Sequence, residues 1–298
     1  MLSKRLERWC TVMDNFNTNG LGISLLVPFR DDKEEGRADN WAWLRQYWEH
    51  TLPDAEIIIG DAPGEPFSKT CALNAAYRDS TGDVLVILDA DCYIEASVIL
   101  NCANEIRKGR SRVPREHVWF IPYKHLYRLT RISTLYLLGS EPADPFQFKT
   151  PPDNDEIGPP NGSEFGHWFG ALIQIFPREA FETIHGMSPL FRGWGGEDVA
   201  NVLALDTLFG VHRLTNNQVL TLWHSVQSKP GTNPNLLRVW EGQEDPRKNW
   251  KIAGRYRKSL RDPVAMRELI DEWVNDKQYE QYRIDYHPPA KGIKGKPV

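Results

Sequence analysis

Two acidic residues stand one apart in Asp89-Ala90-Asp91, directly after the apolar run VLVIL at 84–88. Carboxylates so placed at the end of a buried strand can hold a hard divalent cation, because Mg2+ and Mn2+ prefer carboxylate oxygens. Such a cation can bridge diphosphate oxygens and stabilise the charge that develops as a diphosphate leaves. The plainer reading is a pair of acids capping the next helix. A second segment is Phe191-Arg192-Gly193-Trp194-Gly195-Gly196-Glu197-Asp198. Its glycines let backbone approach a ligand closely, Trp194 could floor a sugar ring, and Asp198 or Glu197 could accept a proton from an attacking hydroxyl. A tight turn with a buried tryptophan and helix-capping acids would carry the same residues. The third segment is Leu222-Trp223-His224-Ser225. A neutral imidazole is a good ligand for Mn2+, although a lone histidine after a strand is more often structural.

The elements that must position these residues follow from apolar spacing. Strands are expected at 23–29, 56–60, 84–88, 118–122, 169–176 and 219–223. Helices are expected within 1–20, at 39–50, at 68–77 with Ser68 as N-cap, and at 96–107, 178–184 and 197–209. Most of 245–276 also has helical spacing. The apolar stretch 126–138 fits either type. Alternating β and α argues for an α/β fold with a mostly parallel central sheet flanked by helices. Ligands of such sheets bind beyond the carboxyl ends of the strands, where Asp89-Ala90-Asp91 falls. Residues 140–166 are rich in proline, glycine and acids and form a long loop, read either as a lid or as an insertion. The tail from His287 reads as mobile. No repeat or low-complexity linker divides the chain. It is therefore read as a catalytic domain over 1–240, with a nucleotide-binding half at about 21–125 and an acceptor and metal half at about 165–240. A C-terminal helical extension and tail follow at 241–298.

The composition is that of an ordinary globular protein, 41% hydrophobic and 26% charged, and a net charge of −4 argues against a general nucleic-acid binder. Arg247, Lys248, Lys251, Arg255, Arg257 and Lys258 form a basic cluster that reads as a solvated helix face in preference to a polyanion site. Cys10, Cys71, Cys92 and Cys102 have no zinc-site spacing. Cys71 and Cys92 sit in apolar runs, which suits a reducing compartment. No signal-peptide stretch is present, nor any run of the roughly 18 apolar residues that span a bilayer. The expectation is a cytoplasmic protein of bacterial or bacteriophage type. The aromatics, 11 Trp among them, suit sugar rings and also build cores.

In order along the chain, these pieces resemble the β-1,4-galactosyltransferase family and its polymerising and polypeptide N-acetylgalactosaminyltransferase relatives. The resemblance covers most of 23–235. Pro28-Phe29-Arg30 resembles the PFR that starts those catalytic domains, and Phe67 to Asn74 looks like the FNRAKLLN segment. Asp89-Ala90-Asp91 takes the DVD position. Trp168-Phe169-Gly170 falls on an aromatic-Phe-Gly element beside the donor sugar. Gly193 to Asp198 is close to WGWGGED, and His224-Ser225 with Asn233-Pro234-Asn235 is similar to HS…NEPN.

The resemblance implies a GT-A (Rossmann-like) fold and a Mn2+- or Mg2+-dependent transfer of a hexose or N-acetylhexosamine from a UDP-sugar to a glycan, lipid-linked glycan or protein acceptor. It implies that Pro28, Phe29 and Arg30 line the uridine and diphosphate pocket. Asp61, Phe67, Lys69, Asn74, Asp89, Ala90, Trp168, Gly170, Trp194, Gly195 and Gly196 complete the donor set. Asp91 and His224 would hold the metal, and Asp198 would be the base with Glu197 beside it. Three positions depart from the pattern: Arg192 replaces the first Trp of WGWGGED, Thr221 replaces the methionine ligand, and Val199-Ala200 replace the last two acids of EDDD. Inversion is favoured because Asp198 stands where retaining relatives carry Asn. A retaining enzyme and an inactive sugar-nucleotide-binding relative are the alternatives. A nucleotidyltransferase is disfavoured, because PFRDDKEEGR is not a Gly-rich phosphate loop.

Overall fold

The computed structural model describes residues 22–31, 35–142, 155–156, 172–193, 195–225 and 247–285. The expected N-terminal helix, most of the 140–166 loop, Asn233-Pro234-Asn235 and the tail lie outside the described residues.

The principal sheet has strand order β2-β1-β3-β8-β5-β9. β1 (Ile23–Pro28) and β3 (Val84–Leu88) are buried at every position, as strands covered on both faces must be. β2 (Glu56–Gly60) and β3 both run parallel to β1. β8 (Ile173–Pro177) enters antiparallel between β3 and β5 (Phe120–Ile121), and β9 (Arg213–Leu214) closes the edge parallel to β5. The sheet is thus mostly parallel with one reversed strand. That strand comes from the expected acceptor half, so the two halves share one sheet and one core.

A second, smaller sheet was not expected from the sequence. Its order is β4-β10-β6-β7, with β4 (Cys92–Tyr93), β6 (His125–Arg128), β7 (Asp155–Glu156) and β10 (Gln218–Thr221). The ambiguous run 126–138 is divided by it: the first part is β6 and the rest is helix α4 (Arg131–Leu138), capped by the Thr130 hydroxyl.

Helices α1 (Arg37–Thr51), α2 (Lys69–Asp79) and α3 (Ala96–Ser111) follow the first three strands of the principal sheet. Ser68 caps α2 as expected, its side chain accepting from the Cys71 N–H. α2 comes so close to β2 that a Cβ on Gly60 would stand 2.0 Å from the Ala72 carbonyl oxygen. α1 buries Trp41, Trp43, Leu44, Tyr47 and Trp48. Tyr47 and Tyr93 pack at 5.0 Å, and the Tyr47 hydroxyl accepts from the Ala96 N–H at 3.1 Å. This aromatic cluster fixes the chain just after Asp91. α5 (Arg178–Thr183) follows β8, and α6 (Glu197–Leu208) follows the glycine loop. α7 (Arg247–Lys258) and α8 (Pro263–Val274) pack on α6. Their Ala253, Tyr256, Met266, Ile270 and Trp273 belong to the same buried core as the sheet. No helix among the described residues is long and apolar enough to cross a membrane.

Candidate active site

Local pairing brings the separate segments together. β4 lies antiparallel to β10, with Cys92 opposite Thr221. The Leu222 N–H donates to the Asp91 carbonyl at 2.8 Å, and the Asp89 N–H donates to the Leu172 carbonyl at 2.8 Å. The chain after β10 is pinned from the start of α1. Asn40 Nδ2 donates to the Trp223 carbonyl at 3.0 Å, and the Ser225 N–H donates to the Glu35 carbonyl at 2.8 Å. Gly36, at φ +87°, leaves room for the Trp223 carbonyl, which a Cβ would meet at 3.3 Å.

The consequence is that His224 Nε2 stands 3.4 Å from Asp91 Oδ2. Two ligand atoms each about 2.1 Å from one cation, at roughly right angles, stand about 3 Å apart, so one divalent ion fits this pair. Burial disfavours the charged form of Asp91, but the adjacent imidazole and the Arg37 charge outweigh it and hold the carboxyl below its usual range. A metal ligand must be ionised in this way. Among the described residues, no third His, Cys, Asp or Glu gathers with these two as a metal-binding group.

Asp89 is engaged differently. Lys69 Nζ lies 2.7 Å from Asp89 Oδ1 and 3.0 Å from Asp198 Oδ1, bridging the two acids. The three side chains are 14%, 23% and 15% exposed in the order Lys69, Asp89, Asp198. Burial works against the ammonium, yet Asp198 and Asp89 hold its pKa well above the usual lysine value. Burial pushes Asp89 up, more than Lys69 pulls it down. Asp198 is pushed up to about 8 by burial, with Lys69 opposing and Glu197 and Asp89 reinforcing. The site is therefore a buried lysine shared among several carboxylates, one of which is poised near neutrality.

Glu197 makes no ion pair with Lys69 and faces elsewhere. It is 6% exposed and faces a small internal cavity with Met187, Phe191, Asn201 and Tyr256. Its Oε2 has no hydrogen-bond partner among the described residues, and burial raises its carboxyl. Of the two acids, Asp198 is the one that Lys69 pairs with.

The other expected donor residues divide into groups. Arg30, Asp61 and Phe67 meet: Arg30 Nε donates to Asp61 Oδ1 at 2.9 Å, and its guanidinium lies 5.1 Å from the Phe67 ring centre. Phe29 packs on Trp41 at 6.0 Å, next to buried Pro28 at the end of β1. Asn74 belongs elsewhere. It is fully buried, donates to the Met187 and Tyr282 carbonyls at 2.8 and 2.9 Å, and accepts from the Met187 N–H at 2.9 Å. Its amide ties the 184–187 turn and residue 282 to α2, with both N–H groups already given to backbone carbonyls. Ala90 is buried in the turn, while Gly195 and Gly196 have φ of +103° and +86° and lead into α6. Trp168, Gly170 and Trp194 lie outside the described residues.

Arg37 and Tyr123 escaped the sequence reading. Arg37 adds positive charge beside Asp89 and Asp91. The buried Tyr123 phenol is pushed well above its usual value by burial and then by Cys92, Asp198 and Asp89. Neither sits in a motif, and only long-range packing brings them in.

A family model described as the N-terminal domain of galactosyltransferase matches residues 162–203, a stretch that includes the glycine loop and the first half of α6. No curated protein matches significantly. Among solved structures, the chain is similar to the catalytic domain of Drosophila β1,4-galactosyltransferase 7 with xylobiose, at 15% identity and TM-score 0.33, covering 66% of this chain and 64% of that one. A mutant of the same enzyme with manganese, UDP-Gal and xylobiose gives 15% identity and TM-score 0.36 at the same coverage. The mannosyltransferase PcManGT of Pyrobaculum calidifontis, in complex with GDP-Man and Mn2+, gives 15% and 0.39, covering 87% of this chain and 71% of that one. The chain thus spans just under two thirds of the galactosyltransferase structures it matches. The family match covers one short stretch at the point where the site residues converge.

Proposed function

We propose that this chain is a metal-dependent glycosyltransferase of the GT-A type. It moves a hexose or N-acetylhexosamine, of galactose, GalNAc or glucose type, from a UDP-sugar to a hydroxyl of a glycan, lipid-linked glycan or protein acceptor, with inversion. The observation that carries this reading is the convergence of Asp91 with His224, 3.4 Å apart, beside the Lys69–Asp89–Asp198 cluster at the carboxyl end of β3. The family match over 162–203 supports it from the sequence side.

Asp91 and His224 are the residues that would hold Mn2+ or Mg2+. When bound, the ion would neutralise charge on the departing diphosphate. Arg30 and Phe67 offer a cation and a ring face to the nucleotide. Asp198 accepts the acceptor proton, a role suited by a pKa raised towards neutrality. The acceptor oxygen then bonds to the anomeric carbon as the bond to UDP breaks and its electron pair leaves on the diphosphate. Lys69 balances whichever of Asp89 and Asp198 is ionised. The free, buried thiols of Cys71, Cys92 and Cys102 fit a reducing compartment such as the cytoplasm.

The test is UDP release from a panel of UDP-sugars, with Mn2+ and with EDTA, on the wild type and on Asp91→Ala. Release from one or two donors, lost with EDTA and in the variant, is expected. Absence of both release and UDP binding would sink the reading. The anomeric configuration of the product separates inversion from retention.

A further inference from the structure

α7 takes no part in the steps above, yet it is fastened to the loop that carries the proposed base. Asn249 Nδ2 donates to the Arg192 carbonyl at 2.8 Å. A Cβ on Gly195 would come 3.3 Å from Trp250 Nε1, and one on Gly196 would come 3.2 Å from Ala253 Cβ. Trp250 therefore covers the backbone two residues before Glu197 while remaining 40% exposed.

The face around Trp250 has an unusual make-up. α7 carries six basic residues and no acid in 12 residues, within a chain of net charge −4. At about 100° per residue, Gly254 falls about 40° from Trp250, with Lys258 about 80° and Lys251 about 100° round the helix in the same direction. Lys251 and Lys258 are exposed. Arg255 is turned away and pairs with Glu272. Gly254 is not explained by the protein's own packing. A glycine inside a helix weakens it relative to alanine, and a Cβ there would meet nothing within 4 Å. The result is an aromatic surface beside the glycine loop, followed round the helix by an open gap and two exposed lysines.

We infer that this face is the acceptor subsite and that the acceptor is an anionic saccharide. The inference rests on the transferase reading. A sugar ring would lie on the Trp250 indole over the gap at Gly254, and its carboxylate or phosphate groups would meet Lys251 and Lys258. The basic cluster then becomes a polyanion site after all, although the sequence favoured a merely solvated face.

Calorimetric titration of the full chain, with UDP and MnCl2 present, tests this with tetragalacturonate, a phosphorylated maltotetraose and neutral maltotetraose. At least one anionic saccharide should bind about tenfold tighter than the neutral one, and raised salt should erase the difference. Which anion wins identifies uronate or phosphate as the recognised group. Trp250→Ala and Lys251→Glu/Lys258→Glu should each lower that affinity about tenfold. Gly254→Leu keeps every charge and the indole, favours the helix, and should lower it similarly by filling the gap. Equal binding of neutral and anionic saccharides overturns the inference, as does unchanged affinity in Gly254→Leu and Trp250→Ala. Tighter binding of a single-stranded oligonucleotide of equal charge also overturns it. A parallel titration with UDP and MnCl2 separates the two failures. UDP binding without saccharide preference refutes the subsite alone, and no UDP binding refutes the transferase reading.

Discussion

Replacing Lys69 with methionine removes an ammonium from between two carboxylates while leaving the side-chain volume nearly unchanged. Lys69 lies 2.7 Å from Asp89 and 3.0 Å from Asp198, and all three side chains are mostly buried. An aspartate left there without a cation escapes its charge by taking up a proton. From an ordinary pKa of 3.8, at about 1.4 kcal/mol per pH unit, that escape costs at most about 4.5 kcal/mol at pH 7. Partial solvent access and the existing upward shifts of both acids reduce this, so a loss of about 3 kcal/mol is expected at pH 7. The sign follows from linkage. The variant's carboxyl has a folded pKa raised above its unfolded value, so the stability it contributes is complete below 3.8 and is lost as pH rises. The deficit should therefore shrink to about 1 kcal/mol or less at pH 5. Urea unfolding of both proteins at pH 5 and pH 7 measures it. A deficit under about 1 kcal/mol at pH 7, or one equal at both pH values, would refute the idea that Lys69 neutralises buried acids.

Turnover should depend on pH in the direction set by Asp198. A base works ionised, and this carboxyl is pushed up to about 8, so kcat/KM should climb through neutral pH instead of levelling near pH 4; a profile flat above pH 5 would count against Asp198. Gly60→Ala should cost about 3 kcal/mol, the upper end for overpacking, because its Cβ would stand 2.0 Å from the Ala72 carbonyl oxygen, and thermal unfolding should show the loss. Gly254→Ala should act oppositely and stabilise by about 0.5–1 kcal/mol, since it meets nothing within 4 Å; an unchanged or lower midpoint would contradict the open space there. Adding EDTA should abolish UDP release, and His224→Ala should raise the Mn2+ concentration needed for half-maximal release about tenfold or more.

Much of the fold was legible along the chain because its signals are local. Leu25 to Val27 and Val84 to Leu88 are apolar runs of strand length, and they form the buried centre of the sheet. Ser68 announced the start of α2, since a hydroxyl there has an unpaired N–H within reach. The acids of Asp89-Ala90-Asp91 were readable as a unit because the strand before them fixes where they emerge. The small sheet was not readable. Two-residue β4 has no periodicity of its own and exists only because β10, more than a hundred residues later, lies against it. The same pairing, and not the spacing of the motifs, brings His224 to Asp91. Side-chain roles divided in the same way. The resemblance placed Lys69 and Asn74 among the donor contacts, but tertiary packing gave Lys69 two buried acids to balance and turned both Asn74 N–H groups to backbone carbonyls. It also carried Trp250 onto Gly195. Chemical type is written in the sequence; partner, burial and therefore pKa depend on residues distant along the chain, and only the folded structure sets them.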